Sequence, residues 1–453
     1  MAPVSKFPQI VATPPNPKAK ALIKKIERFE MPMSGVLTHA FGEWPLIFDG
    51  GEGALLKDMD GNTYIDLNGG FGSASTGYGH PDVIAAIKHQ LDSYSFCGGR
   101  LVHPLRAELA EKIVSLSPGG LDQKVLIGNT GSEAVEHAIK IAHYSSGRSQ
   151  LIAFQGSFHG RFHGSLTLSS GRFVRGGFHT IGGVIHAPFA YCYRCPIGRT
   201  YPDCGVACAD YIDHLLTDPA SGANDVAALI VEPLQGFEGF AIVPPPRYLP
   251  KLKAICQKHG LEFIADEIYS GFARTGKWFA CEHDGVTPDI MTCGKGGASG
   301  LPLAVVVARN SIVEKCADTK MSATFQANPV SCAAALATIQ VIEKERLVEK
   351  ASKHGEYLMR SLEDIYRDRK ISGEVRGRGL FIGAEIVTDE KSKTPDIELA
   401  RAISRECIKR GVFVEPGGRY GNCLRITPPL VIAPEQVDKT VEIIDQAARS
   451  AMG

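Results

Sequence analysis

Through the middle of the chain, short apolar runs alternate with longer segments of mixed polarity. Runs at residues 125–128, 151–154, 227–231, 262–265, 290–293 and 303–308 read as strands. Between them lie loops and helical segments, among them Leu249–His259, which Gly260 caps at its C-terminal end. Repeated strand–loop–helix order predicts a mainly parallel sheet with helices on both faces, an α/β class. Earlier, residues 53–67 read as two short strands around an Asp60–Gly61 turn. A glycine-rich loop at 69–79 and a helix over about 82–93 follow. Residues 1–20 read as an irregular arm, with a helix beginning over 22–29. Beyond Pro329 the pattern turns helical, through 331–345 and 347–369. Strands are expected near 379–385 and 424–426, and a last helix over about 434–448.

These elements group into an N-terminal segment (1–70) that joins a small C-terminal domain (331–453), and a large domain between them (71–330). A chain of 453 residues has room for two domains. Lys+Arg and Asp+Glu each number 49, so no basic field invites nucleic acid or an anionic membrane. No apolar run has the length to cross a bilayer, and the N-terminus shows no apolar signal-peptide core. A soluble cytoplasmic enzyme is the expectation. Its twelve cysteines then read mostly as reduced thiols.

Chemistry concentrates between Phe263 and Leu303. There an apolar run ends in Asp266–Glu267, and the next ends in Gly294–Lys295–Gly296–Gly297. Ligands of open α/β sheets bind at the carboxyl ends of strands. Glycines around a lysine suit a backbone that closely approaches something flat or bulky. An Asp and a Lys at neighbouring strand ends are what pyridoxal phosphate (PLP) chemistry requires. The amine forms a Schiff base with the aldehyde, and the carboxylate keeps the pyridine nitrogen protonated. The segment Asn129–Ala134 follows a strand and opens a helix, whose N-terminal amides suit a phosphate.

ADEIYSGFARTG followed by CGKGGASGLPL resembles the class III (ω-type) aminotransferase family of PLP enzymes, from about Gly51 to the C-terminus. The resemblance implies the PLP-dependent transferase fold of type I, with a large, mainly parallel domain and a smaller α/β domain. It also implies transfer of an amino group between an amino acid or ω-amine and a 2-oxo acid. Lys295 is then the Schiff-base nucleophile and proton shuttle, and Asp266 the pyridinium partner. Ile268 packs on the ring face. Tyr269 stands where the family usually has a glutamine on the cofactor's phenolic oxygen. Gly131 and Ser132 hold the phosphate, and Phe158 of the Phe158–His159–Gly160 motif stacks on the ring. Glu232 has a structural, hydrogen-bonding role. Thr324, in TFQANP, reaches the phosphate of the partner subunit's cofactor, so the enzyme is a homodimer with a shared active site.

Arg425 matches the arginine that grips the substrate carboxylate in similar members. Many ω-aminotransferases screen that arginine with the glutamate of a Q-G-E motif. This chain reads Gln235–Gly236–Phe237–Glu238. Either Phe237 replaces the glutamate, or one residue is inserted and Glu238 takes its place. The downstream VPPPRYL register favours the insertion. The C-terminal stretches ANPVSCAAALATIQVIE and YGNCLRITPPLVI are similar to the family's amino-acid racemases and epimerases. A racemase is therefore the alternative to an aminotransferase. Cys192, Cys195, Cys204 and Cys208 carry two close pairs, but the irregular second spacing speaks against zinc, and no metal is expected.

Overall fold

The computed structural model describes residues 6–13, 17–31 and 46–453. Its strands fall in three stretches of chain. The first holds β1 (Phe48–Glu52), β2 (Leu55–Asp58) and β3 (Thr63–Asp66). The second holds β4 (Gln123–Gly128), β5 (Gln150–Phe154), β6 (Val184–Ala187), β7 (Val226–Val231), β8 (Glu262–Glu267), β9 (Ile290–Gly294) and β10 (Ala304–Arg309). The third holds β11 (Ser372–Arg378), β12 (Phe381–Val387), β13 (Val412–Phe413), β14 (Glu415–Gly417) and β15 (Cys423–Ile426).

Packing divides the chain into two units, Pro81–Ser352 and the combination of Met1–His80 with Lys353–Gly453. The larger unit carries a seven-stranded sheet of order β4-β10-β9-β8-β7-β5-β6. Only β10 runs antiparallel to its neighbours β4 and β9; the remaining pairs are parallel. Each apolar run named from sequence is one of these strands. The exception in the other direction is β6, an edge strand reading VIHA. It is only four residues long, mostly half-buried and interrupted by His186, so its pattern does not stand out. Helices Pro104–Leu116, Ala207–Thr217 and Ile397–Lys409 were likewise not anticipated.

The larger unit extends to Ser352 rather than to about 330 because helix Pro329–Lys344 packs on helices Pro81–Ser93 and Pro104–Leu116. That helix is apolar around most of its circumference, as a helix enclosed by its neighbours must be. Asn328 caps it by accepting from Val330 N and Ser331 N, and Pro329 occupies the first turn, where its missing N–H costs nothing. Under the sheet, Val135, Ala138, Ala142, Ala153, Ile230, Ile264 and Ile290 form one core with helix Gly131–Ser146.

In the smaller unit, β1-β2-β3-β13 form one sheet and β11-β12-β15-β14 another. Leu56, Tyr64, Ile408 and Phe413 make a buried cluster there. The arm expected over residues 1–20 is in part helical, since a helix spans Pro17–Phe29. Residues 1–5 and 14–16 of that arm lie outside the described residues.

Candidate active site

The parallel sheet brings the ends of β8 and β9 side by side, with Asp266 opposite Thr292 in register. Side chains alternate along a strand, so the two acids that end β8 part company. Asp266 enters a cavity of about 210 Å³. Glu267 is fully buried elsewhere and accepts from Ala280 N (3.0 Å) and Cys281 N (2.7 Å).

Asp266 is itself buried and is held from three directions. His159 Nδ1 lies 2.7 Å from its Oδ2, and Thr292 Oγ1 (3.0 Å) and Ile268 N (3.1 Å) donate to Oδ1. A carboxylate can only accept, so the His159 proton sits on Nδ1. The backbone N–H of His159 donates to Ser169 Oγ at 2.9 Å, fixing the ring's approach.

Lys295 follows β9 with φ +42°, an uncommon conformation for a non-glycine residue. Its Nζ stands 3.7 Å from the centre of the Tyr269 ring, in range of a cation–π attraction. The glycines around it allow close packing. A Cβ at Gly294 would come 2.9 Å from the Leu303 carbonyl oxygen, and one at Gly297 would come 2.6 Å from the Phe272 ring.

Across the cavity, helix Gly131–Ser146 begins after the N-cap Thr130, whose hydroxyl accepts from Glu133 N at 3.2 Å. Here too close approach explains the glycine. A Cβ on Gly131 would be 3.0 Å from Ile268 Cγ2, and one on Gly160 would be 2.5 Å from Ser132 Oγ. Ser132 Oγ accepts from Arg161 N at 3.1 Å. Glu133 turns back to accept from Asn129 N and Nδ2, and a hydrogen bond with His137 is the largest cause that brings its carboxyl down to about 2.

Glu232 ties two loops to the cavity wall. It accepts from Phe158 N (2.9 Å) and Gly236 N (2.8 Å). Burial pushes its carboxyl up to about 7, with His159 opposing and Asp266 adding to the rise. The Phe158 ring lies 4.7 Å from that of Phe237 at 38°, and both line the cavity.

Lys295, Asp266, Gly131, Ser132, Phe158, His159, Glu232, Ile268 and Tyr269 all line this one cavity. Three other residues named from sequence do not. Thr324 is exposed on a loop, its carbonyl accepting from Gly99 N at 2.8 Å. Arg425 belongs to the smaller unit, where its Nη2 lies 3.3 Å from Glu415 Oε2. Glu238 packs beneath Gly171, where an added Cβ would fall 2.1 Å from its Cδ. Phe237, between Gly236 and Glu238, is the residue of this loop that lines the cavity. Sequence reasoning passed over Thr292 and took in Thr130 only as part of the Asn129–Ala134 segment. Strand register beside Asp266 would have pointed to Thr292, and the helix N-cap pattern to Thr130.

Burial pushes the Cys208 thiol up to about 12. No cluster of three His, Cys, Asp or Glu side chains among the described residues is arranged to hold a metal.

The cavity has an amine on a constrained turn, a buried carboxylate held by three donors, and a helix N-terminus opened by glycine. That donor set fits an aldehyde, a pyridinium nitrogen and a phosphate, which together define a PLP enzyme of fold type I. Comparison with known proteins agrees. The aminotransferase class-III family model matches residues 38–448. An alanine/serine racemase of Pyrococcus horikoshii is 36% identical over 99% of this chain and 94% of its own length. A 4-aminobutyrate aminotransferase of Escherichia coli is 36% identical over 89% of this chain and 93% of its own. The solved omega transaminase of Pseudomonas jessenii in complex with PMP superposes with a TM-score of 0.87 at 28% identity, covering 95% of this chain and 98% of its own. The chain belongs to the class-III aminotransferases and is a PLP-dependent aminotransferase.

Glu232 makes stability depend on pH. Its folded pKa lies above the ordinary 4.5, so the folded chain holds this proton up to about pH 7. The associated stability is complete below about 4.5 and is lost as pH rises through about 7. The urea midpoint of the apoenzyme should therefore fall from pH 5 to pH 8, and Glu232→Gln should flatten that fall. Parallel pH profiles for the two proteins would contradict this.

Proposed function

We propose that the enzyme moves an amino group from a carboxylate-bearing amino acid with an apolar side chain to a 2-oxo acid. The observation that carries this is that Lys295, the one amine among the described residues that line the cavity, shares it with the buried Asp266. PLP bound there supplies an aldehyde for the lysine and a ring that stabilises a carbanion at the substrate Cα. The chain's residues do the rest. Asp266 keeps the proton on the pyridine nitrogen, while His159 and Thr292 orient the carboxylate by hydrogen bonds. The amides at Gly131 and Ser132, with the Ser132 hydroxyl, receive the phosphate. Phe158 and Ile268 take the two ring faces, and the Tyr269 hydroxyl serves the phenolic oxygen. Lys295 carries the proton away from the substrate Cα. Arg425 takes the substrate carboxylate. Phe237, stacked on Phe158, offers an apolar wall, which supports an apolar substrate side chain.

The similarity to an alanine/serine racemase supports a second reading, inversion at Cα. Inversion needs a proton donor on the face opposite Lys295. Among the residues that line the cavity, the carboxyl groups are those of Glu232 and Asp266, both already engaged by hydrogen bonds, which favours transamination. The two separate when the holoenzyme meets a single L-amino acid in deuterated buffer without any 2-oxo acid. Transamination converts the cofactor to pyridoxamine phosphate and stops until a 2-oxo acid is added. D-enantiomer accumulating over many turnovers, with the PLP spectrum intact, would overturn it.

The working unit in this reading is a cytoplasmic homodimer in which Thr324 serves the phosphate site of the partner. Thr324 and Phe325 are exposed on their loop, and Phe96, Leu101 and Val102 add exposed apolar surface. The Phe96 and Phe325 rings lie 5.1 Å apart. Sedimentation equilibrium at assay concentration should give twice the chain mass. Full activity in a monomer would rule the shared site out.

A further inference from the structure

Tyr269 brings an aromatic face to the cavity as well as a hydroxyl, and the face is what meets Lys295. The lysine Nζ stands 3.7 Å from the ring centre, well inside the roughly 6 Å over which a ring face attracts a cation. Both residues line the cavity, and both belong to the larger unit. Each is held from behind. Just before Tyr269, Ile268 N donates to Asp266 Oδ1 at 3.1 Å. Just after it, the Ser270 hydroxyl donates to the buried Glu267 carboxylate, and Gly271 N donates to the Glu267 carbonyl at 2.9 Å. The Phe240 ring meets the tyrosine ring edge-on, with centres 6.4 Å apart at 72°. Lys295 leaves β9 with φ +42°, and the glycines on either side pack its turn against Leu303 and Phe272.

A ring face distinguishes the two states of an amine. Its quadrupole attracts the ammonium and does little for the neutral form. A carboxylate at the same distance would attract the ammonium far more strongly and keep its proton in place. A base that takes up a proton and then hands it on is better served by the weaker partner.

We infer that the aromatic face of Tyr269 is the counterpart of the Lys295 ammonium, steadying the lysine in the protonated form it takes on when it carries the proton from the substrate Cα. This rests on the reading of Lys295 as that proton carrier. The C–H electron pair stays with the carbon, the proton adds to the Nζ lone pair, and the tyrosine ring neither makes nor breaks a bond. In this part Tyr269 acts through Lys295 and is a positioning residue. Asp266, His159 and Glu232 are the other titratable groups among the described residues that line the cavity. They are common to every variant below, so a difference between variants reports on position 269.

The test is the protonation midpoint of Lys295 in the pyridoxamine phosphate form of the enzyme, in which the lysine carries no cofactor. Acetylation by acetic anhydride at a series of pH values, read by peptide mass spectrometry, gives the midpoint for that one lysine. Tyr269→Phe keeps the ring and should keep the wild-type midpoint. Tyr269→Leu removes the ring and should lower the midpoint by about one pH unit, a ten-fold loss of ammonium relative to amine. Tyr269→Gln should lower it in the same direction and replaces Tyr269→Leu if that variant does not fold. Equal midpoints in wild type and the ringless variant, or a fall in Tyr269→Phe as large as in Tyr269→Leu, would overturn the inference. Borohydride reduction of the holoenzyme with peptide mapping separates the levels. A label on Lys295 together with unmoved midpoints removes the ring's part alone. A label on another lysine removes the reading of Lys295, and this inference with it.

Discussion

A buried carboxylate is costly unless its charge is answered. Asp266 meets that condition with a hydroxyl, a backbone amide and an imidazole, all aimed at it from within the larger unit. A carboxylate in that cage suits a cation beside it, and a pyridinium nitrogen supplies one. Much of the larger unit serves this arrangement. Parallel register between β8 and β9 puts Thr292 next to Asp266, and the following turn presents Lys295. The helix that begins at Gly131 closes the cavity with its positive end.

Close packing is the second constraint. Gly131, Gly160, Gly294 and Gly297 each stand where a Cβ would run into a neighbour at 3.0 Å or less. Two of them flank the helix end and its serine, and two flank the lysine. They let backbone lie where side chains would otherwise hold the cavity open.

Much of this was legible in the sequence, for a physical reason. Strands of a parallel sheet are buried on both faces, so β4, β5 and β7–β10 read as unbroken apolar runs. Residues such as Asp266 and Lys295 end those runs and announce themselves by interrupting them. The four-residue edge strand β6, interrupted by His186, carries no such signature. Loop register was not legible either. Whether Phe237 or Glu238 enters the cavity depends on how one loop turns under Gly171, which no periodicity encodes. The Glu415–Arg425 pair escaped notice because its partners lie ten residues apart and meet only through the register of β14 with β15.

The central claim is that Asp266, oriented by His159 and Thr292, keeps the pyridine nitrogen protonated. Single-turnover conversion of PLP-loaded Asp266→Asn by an amino acid donor tests it most directly. An amide keeps the carboxylate's shape but turns an NH2 toward one of its donors, and it cannot stabilise a pyridinium. The variant should retain bound PLP and convert it at least about 10²-fold more slowly than wild type. A PLP-loaded variant converting at near the wild-type rate would contradict the claim.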